Sequence, residues 1–237
     1  MNLGAALAVL GKRVLVVDAD PQGNTTTGLG VDKTQLRHDV YDLLLQEARA
    51  DDVIVPTELE NLWLVPATIN LAGAEIELVA ALSRETRLRQ AIAPVADRYD
   101  FVFIDCPPSL GLLTINALTT AGECIIPVQA EYYALEGLSQ LTSVVRRVRE
   151  ALNPRLVVSG VLVTMFDGRT RLAAEVLEEL VKFFPEQMFK TQIPRNVRLS
   201  EAPSYGRPVI LFDVKSRGAQ AYLALAREML EAAKVGA

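Results

Sequence analysis

A doubly wound α/β fold, a mostly parallel sheet with helices on both faces, is what this sequence predicts, and three observations predict it. Short β-branched runs alternate with stretches of helical periodicity. Several of those runs are continuously apolar, as strands buried on both faces require. Two of them, VLVVD and FVFID, close on an aspartate followed by a loop, the usual position of a ligand site in such sheets.

Taken in order, MNLGAALAVLGKR reads as an amphipathic helix ended by Gly11. Its charges, Lys12 and Arg13, follow the apolar stretch, the reverse of a secretory signal. Strands are expected at Arg13–Asp18, Leu62–Val65, Phe101–Asp105, Glu123–Val128 and Leu156–Val163, with a short one at Lys190–Ile193. Helices are expected at Asp39–Gln46, Ala74–Leu82, Arg84–Ala96, Leu112–Ala121, Leu135–Leu152, Arg171–Phe184 and Ala219–Ala233. No repeat, low-complexity tract or Pro/Ser/Gly-rich linker divides the chain, so residues 1–237 are expected to form a single domain.

Composition narrows the chemistry. With 237 residues, 50% hydrophobic and 22% charged, and a mean hydropathy of +0.22, the chain can bury a core and is not disordered. Two cysteines, Cys106 and Cys124, make neither a disulfide framework nor a zinc cluster, and point to a reducing cytoplasm. His38 is the single histidine, which removes most histidine-based catalysis. The longest uncharged run, Cys106 to Gly122, holds two prolines and is a poor membrane span. The net charge of −5 conceals an asymmetry. Residues 1–145 carry 9 basic and 19 acidic side chains, whereas residues 146–237 carry 15 basic and 10 acidic. The carboxyl-terminal third is therefore either a polyanion-binding face or solvated helix surface.

The strand-end aspartates, with Asp20 just beyond the first, are the candidate chemical groups. A carboxylate after an apolar strand holds Mg²⁺ through water in nucleotide sites, and equally often caps a helix. Their flanks are more specific. DADPQGNTTTGLG and FIDCPPSLGLLTINAL, with ATINLAGAEIEL, IPVQAEYYALEGLSQL, GVLVTMFDGRTRLAAEV, IPRNVRLSEAPSYGRPV and KSRGAQAYLALA, resemble the ParA/Soj partitioning ATPases, a deviant Walker-type family that includes MinD. The resemblance runs through the whole chain in order and is closest to the Soj-like branch, which has no added amino-terminal DNA-binding domain.

The resemblance implies a P-loop NTPase-like fold and an ATP hydrolase that uses ATP and Mg²⁺ in chromosome or plasmid segregation. Asp20 matches the residue that orients or activates the attacking water, and Asp105 the one that holds the magnesium shell. Asp18 either shares the metal's second shell or serves as a structural carboxylate. Pro194, Arg195 and Asn196 match the adenine-contacting loop, although Asn196 also suits the N-cap of a helix over Val197–Ala202. Thr164 and Asp167 fall near the base. Arg169 and Arg198 match arginines of a nonspecific DNA-binding surface. Arg195, Arg207, Lys215 and Arg217 either extend it or pair with carboxylates such as Glu201 and Asp213. The implied partners are a second copy in an ATP-closed dimer, double-stranded DNA and a ParB-like protein, with a cytoplasmic, nucleoid-associated location and no membrane.

One part of the family pattern is missing. The phosphate-binding KGGVGKTT does not occur, and the only Gly-Lys, Gly11-Lys12, sits where the first helix ends. Asn2-Leu3 matches the first turns of the helix after that loop, so about twenty residues of the pattern are absent. The intact remaining motifs favour a start internal to the reading frame, and a degenerate paralogue acting as a ParB- or DNA-binding adaptor is the alternative. Loss of a central strand is expected to expose the edge of Arg13–Asp18 and of its former neighbour. Two other relatives fit less well. An iron-protein-like reductase needs cluster cysteines where Cys106 and Cys124 are not. A MinD-like regulator needs a stronger amphipathic end than ALAREMLEAAKVGA.

Overall fold

The computed structural model describes residues 1–131 and 134–235. Its elements run α1 (Asn2–Val9), β1 (Val14–Asp18), α2 (Asn24–Gly28), α3 (Val40–Leu45), α4 (Ala50–Val53), β2 (Val55–Pro56) and β3 (Leu62–Val65). They continue through α5 (Leu71–Glu77), α6 (Arg87–Ala96), β4 (Phe101–Asp105), α7 (Leu112–Thr120), β5 (Glu123–Gln129), α8 (Ala134–Ala151) and β6 (Val157–Thr164). The last are α9 (Arg171–Phe183), α10 (Val197–Glu201), α11 (Val209–Phe212) and α12 (Arg217–Val235). The expected α/β class holds. The short α2, α4 and α11, and the two-residue β2, lie where the sequence pattern assigned no element.

β1 is the axis of the first sheet. It pairs in parallel with β3 on one side and β4 on the other, and β2 closes the edge antiparallel to β3. All five β1 residues are buried. Their alternation feeds two cores. Leu15 and Val17 join α3, α5 and α6, while Val14 and Val16 join α1 and α12. α1, expected to be amphipathic, is instead buried through Gly4–Ala8, because α12 covers the side that faces away from the sheet. Small residues permit this: a Cβ on Gly4 would stand 3.1 Å from Val16. Gly11 ends the turn at φ +83°, as expected.

The sheet is not continuous. β5 and β6 pair in parallel as a second sheet, and β4 and β5 do not pair with each other. The expected open edge at Arg13–Asp18 is therefore corrected: β1 is flanked on both sides, and the open edges belong to β4 and β5. Exposure agrees. Phe101–Ile104 are only half-buried and Asp105 is exposed, although the apolar run FVFID suggested burial on both faces. A strand paired on one side leaves its other row of main-chain groups and part of its side chains uncovered. Helices join the two sheets. α12 packs Leu223 and Ala226 against the first and Leu225 against the second, while α7 contributes Leu113 to one core and Leu118 to another.

The strand expected at Lys190–Ile193 does not form. Residues near it meet β6 and its continuation at isolated bridges, Val161 with Met188 and Phe166 with Pro194. Between them, the backbone amides of Lys190 and Thr191 donate to the carboxylate of Glu228 on α12, at 2.7 and 2.9 Å. A side chain thus satisfies donors that a ladder would have used. Glu228→Ala is expected to lower the unfolding free energy by about 1–2 kcal/mol, two charge-assisted bonds at a half-exposed site. Denaturant titration would measure it, and amide exchange should accelerate at Lys190 and Thr191.

Candidate nucleotide and phosphate site

The parallel register sets Asp18 directly beside Asp105, at the carboxyl ends of adjacent strands. Their environments differ. Asp18 is fully buried, and both of its oxygens are used within the protein. Oδ2 accepts from the Thr26 amide at 2.8 Å and the Thr26 hydroxyl at 2.7 Å, and Oδ1 from the Asp20 amide at 3.3 Å. Burial raises its pKa, the Thr26 bonds oppose that rise, and neighbouring Asp105 adds to it. Thr26 extends the joint to the third strand, because its hydroxyl also accepts from the Ala67 amide at 2.9 Å. Asp105 is exposed, with the Thr25 hydroxyl donating to its Oδ2.

Asp20 occupies the turn between β1 and α2. Its Oδ1 accepts from the Gln22 amide at 2.9 Å and its carbonyl from the Gly23 amide at 2.8 Å. Gly23 adopts φ +60°, and a Cβ there would collide with the Ala67 carbonyl and with Lys33, so glycine is required. Lys33 anchors the turn from outside by donating to the Gln22 carbonyl at 2.8 Å. A cavity of ≈ 510 Å³ opens beside this turn, lined by Gln22, Lys33, Arg37, His38 and Thr68 among others. No group of three potential metal ligands gathers among the described residues.

The remaining expected residues sit on the second sheet. Thr164 ends β6, and its hydroxyl reaches the Val128 carbonyl at 3.3 Å. Phe166 exchanges main-chain bonds with Ile193 and Arg195, which fixes Pro194 beside it. Asn196 is the N-cap of α10, accepting from the Arg198 amide at 2.9 Å, so its side-chain oxygen is committed, while its amide nitrogen has no partner among the described residues. The carboxylates thus belong to the first sheet and the Pro194–Asn196 loop to the second, and β4 and β5 do not pair with each other. Cys106, at the end of β4, is exposed to solvent but walled by protein, and its thiol is pushed up to about 12 by that crowding and by Asp105.

Of the six basic residues expected on the polyanion-binding face, four are ion-paired, and Lys215 and Arg217 have no ion pair among the described residues. Arg169 forks onto Asp167 at 2.8 and 2.7 Å, which holds that carboxyl down at about 2. Arg198 pairs with Glu201 at 2.8 Å and Asp213 at 3.4 Å. Arg195 meets Glu131 at 3.3 Å and Arg207 meets Glu58 at 2.8 Å. Sequence reasoning missed Thr25 and Thr26, which tie the two strand ends together. The hydroxyl run Asn24-Thr25-Thr26-Thr27 just past the acidic turn was the available signal. Lys33 carried none.

Known proteins resemble the chain over most of its length. The family described as "AAA domain" matches residues 1–158. The sporulation initiation inhibitor protein Soj of Bacillus subtilis is 59% identical over 97% of this chain and 90% of its own length. The chromosome partitioning protein ParA of Myxococcus xanthus is 52% identical over 98% and 82%. Among solved structures, the Mycobacterium smegmatis protein named cobyrinic acid a,c-diamide synthase, with bound ADP and magnesium, is 38% identical with a TM-score of 0.86, over 100% of this chain and 89% of that one. Fold alone does not fix a reaction, but identity of this extent fixes descent. This chain belongs to the ParA/Soj family of chromosome-partitioning ATPases.

Proposed function

We propose that residues 1–237 act as one ATPase domain in DNA segregation, binding ATP–Mg²⁺ between the strand-end carboxylates and the Pro194–Asn196 loop. The observation that carries this is the register of Asp18 and Asp105 on neighbouring parallel strands, with Asp20 held in the turn beyond. The donor set fits a hard cation that arrives with phosphate. Asp105 is exposed and has one oxygen not taken by Thr25, and no ready-made cage competes among the described residues. Bound there, Mg²⁺ would neutralise charge developing on the transferred phosphoryl group.

The chain's own groups divide the remaining work. Asp105 holds the cation's water shell, and the Thr25 hydroxyl fixes the rotamer of its carboxylate. Asp18 keeps the Thr26 turn rigid behind it, in the outer shell. Asp20 keeps one oxygen without a protein partner among the described residues, placed to accept a hydrogen bond from water and orient it for attack. The uncommitted amide nitrogen of Asn196, with Thr164 and Asp167 nearby, reads the edge of the base. ATP closes a dimer of two copies, which binds DNA without sequence preference, and a ParB-like partner triggers hydrolysis. This activity is placed in the cytoplasm, on the nucleoid. The Arg169 and Arg198 ion pairs are exposed and weak, so DNA phosphates can replace Asp167 and Glu201 as partners. A non-catalytic DNA- or ParB-binding adaptor is the second reading, since the exposed Arg169 and Arg198 need no nucleotide to meet phosphates. A membrane-bound regulator is disfavoured, because α12 spends Leu223, Leu225 and Ala226 on the cores. No helix among the described residues is long and apolar enough to cross a membrane.

Nucleotide affinity should depend on a phosphate loop. The 237-residue chain is expected to give no calorimetric signal with micromolar ATP–Mg²⁺, and fusing a strand and a KGGVGKTT loop ahead of Met1 should restore one. Micromolar binding by the unfused chain would remove the division of labour drawn here. In the fused protein, Asp20→Ala should cut phosphate release by roughly 100-fold or more while changing nucleotide affinity little. Lost affinity with unchanged turnover per bound ATP would reassign Asp20 to binding.

DNA retention provides an independent check. Arg169→Glu and Arg198→Glu should each weaken filter retention of random-sequence DNA, and Asp167→Asn should strengthen it by freeing Arg169. Retention should fall steeply with salt in every variant that binds. Unchanged retention in the doubly reversed protein at low salt would eliminate this face.

A further inference from the structure

A second cavity, of ≈ 260 Å³, lies among α3, α4 and α6. It shares no residue with the strand-end carboxylates or with the cavity beside the Asp20 turn. Its floor is apolar, because Leu43, Ala50 and Val95 are buried in the core that Leu15 and Val17 join. Its wall carries two arginines, Arg49 and Arg87, and a single carboxylate, Asp51. That carboxylate is already claimed. Both of its oxygens accept from the Arg98 guanidinium, which holds the carboxyl below its ordinary range. Neither Arg49 nor Arg87 has an ion-pair partner among the described residues. The two amides of the lining spend themselves elsewhere: Gln46 donates to Gln90 at 3.2 Å, and Gln90 to the Thr86 hydroxyl at 3.1 Å. The guanidiniums are left as the unclaimed side-chain donors.

Arg87 says most about the occupant. Its Nε is buried and has no hydrogen-bond partner, the one arginine nitrogen so placed among the described residues. A buried N–H without an acceptor is costly, and more so on a charged group. Arginine offers its donors as a planar fork that matches two oxygens of one anion. An anion seated here, with a small turn of the side chain, supplies the acceptor that the protein itself withholds. Size limits the rest of the ligand, since drug-sized molecules occupy sites of roughly 300 Å³ and more. The apolar floor favours an anion on a short apolar stem over a hydrated inorganic ion, which would leave that floor uncovered.

We propose that the cavity among α3, α4 and α6 binds a small organic carboxylate, its oxygens on Arg87 with Arg49 beside them and its stem on Leu43, Ala50 and Val95. The site is independent of the nucleotide reading, because none of its residues belongs to the strand-end carboxylates or the Pro194–Asn196 loop. A free acid and the carboxyl terminus of a peptide offer the same chemistry, and the probes separate them. The 237-residue chain is titrated with isocaproate, neutral isocaproamide, inorganic phosphate and a pentapeptide ending in leucine, followed through its amide NMR signals. Isocaproate is expected to give saturable shifts at Leu43, Ala50 and Ala91, with isocaproamide and phosphate at least about tenfold weaker. Arg87→Met keeps the aliphatic stem and should weaken isocaproate at least about tenfold without lowering the melting temperature, since it removes an unmatched donor. Arg49→Met, at an exposed position, should weaken it about threefold and leave folding untouched. Tighter binding of the pentapeptide than of isocaproate, lost when its terminus is amidated, would assign the carboxylate to a chain end. Equal binding of isocaproamide would show apolar burial alone, and equal binding of phosphate would show charge alone. Either result overturns the proposal, as does indifference to both substitutions. So does the absence of saturable shifts at the cavity with both carboxylates at about 10 mM.

Discussion

A single buried carboxylate organises the carboxyl ends of the first sheet. Asp18 sits among apolar strands where an unpaired charge would cost several kcal/mol. It is tolerated because the Thr26 amide and hydroxyl both turn toward it. That requirement fixes where α2 starts, and the same hydroxyl reaches Ala67 at the end of β3. Thr25, one residue earlier, is then delivered to Asp105. Three strand ends and the Asp20 turn are thus positioned by one desolvated charge and two adjacent threonines. Removing the Thr26 hydroxyl would take one of two donors from Asp18 Oδ2 and leave the Ala67 amide unmatched, whereas removing that of Thr25 would release Asp105 to solvent.

The division of the sheet gives this joint its context. Carboxylates occupy one side of the open β4 and β5 edges, and the Pro194–Asn196 loop occupies the other. α1, α12 and α7 keep the halves together by packing, without main-chain bonds between them. Packing of this kind tolerates small sliding more readily than a hydrogen-bonded ladder does. The carboxylates and the Pro194–Asn196 loop therefore depend on helix contacts for their relative placement, while hydrogen-bonded pairing holds the strands within each sheet.

Much of this was legible in the residues. Continuous apolar runs marked β1 and β3, which are buried on both faces, and also β4–β6, although these proved less covered. The aspartates closing VLVVD and FVFID marked the site. What escaped was whatever depends on partners distant in sequence. Lys190–Ile193 has strand-like composition, yet Glu228 takes its amides, and no local pattern announces a carboxylate 37 or 38 residues away. α1 read as an amphipathic helix ended by Gly11, but the covering helix α12 lies far along the sequence. The arginines were legible as charge and not as pairs: the Asp167–Arg169 fork is local, whereas Arg207 finds Glu58 149 residues away.

The contact between α1 and α12 joins residues from the two ends of the chain. A polypeptide made from its amino terminus exposes Ala5, Ala6 and Leu7 long before Leu223 and Ala226 exist to cover them. α1 must wait on a nascent chain until α12 has been made. Closure of that core is consequently a late, long-range event with a large loop-closure entropy. The same holds for the Lys190 and Thr191 amides, which stay unsatisfied until Glu228 has left the ribosome. During synthesis the vulnerable interval thus falls on the segment that leads into the Pro194–Asn196 loop, and any chaperone serving this protein would find exposed apolar surface at α1.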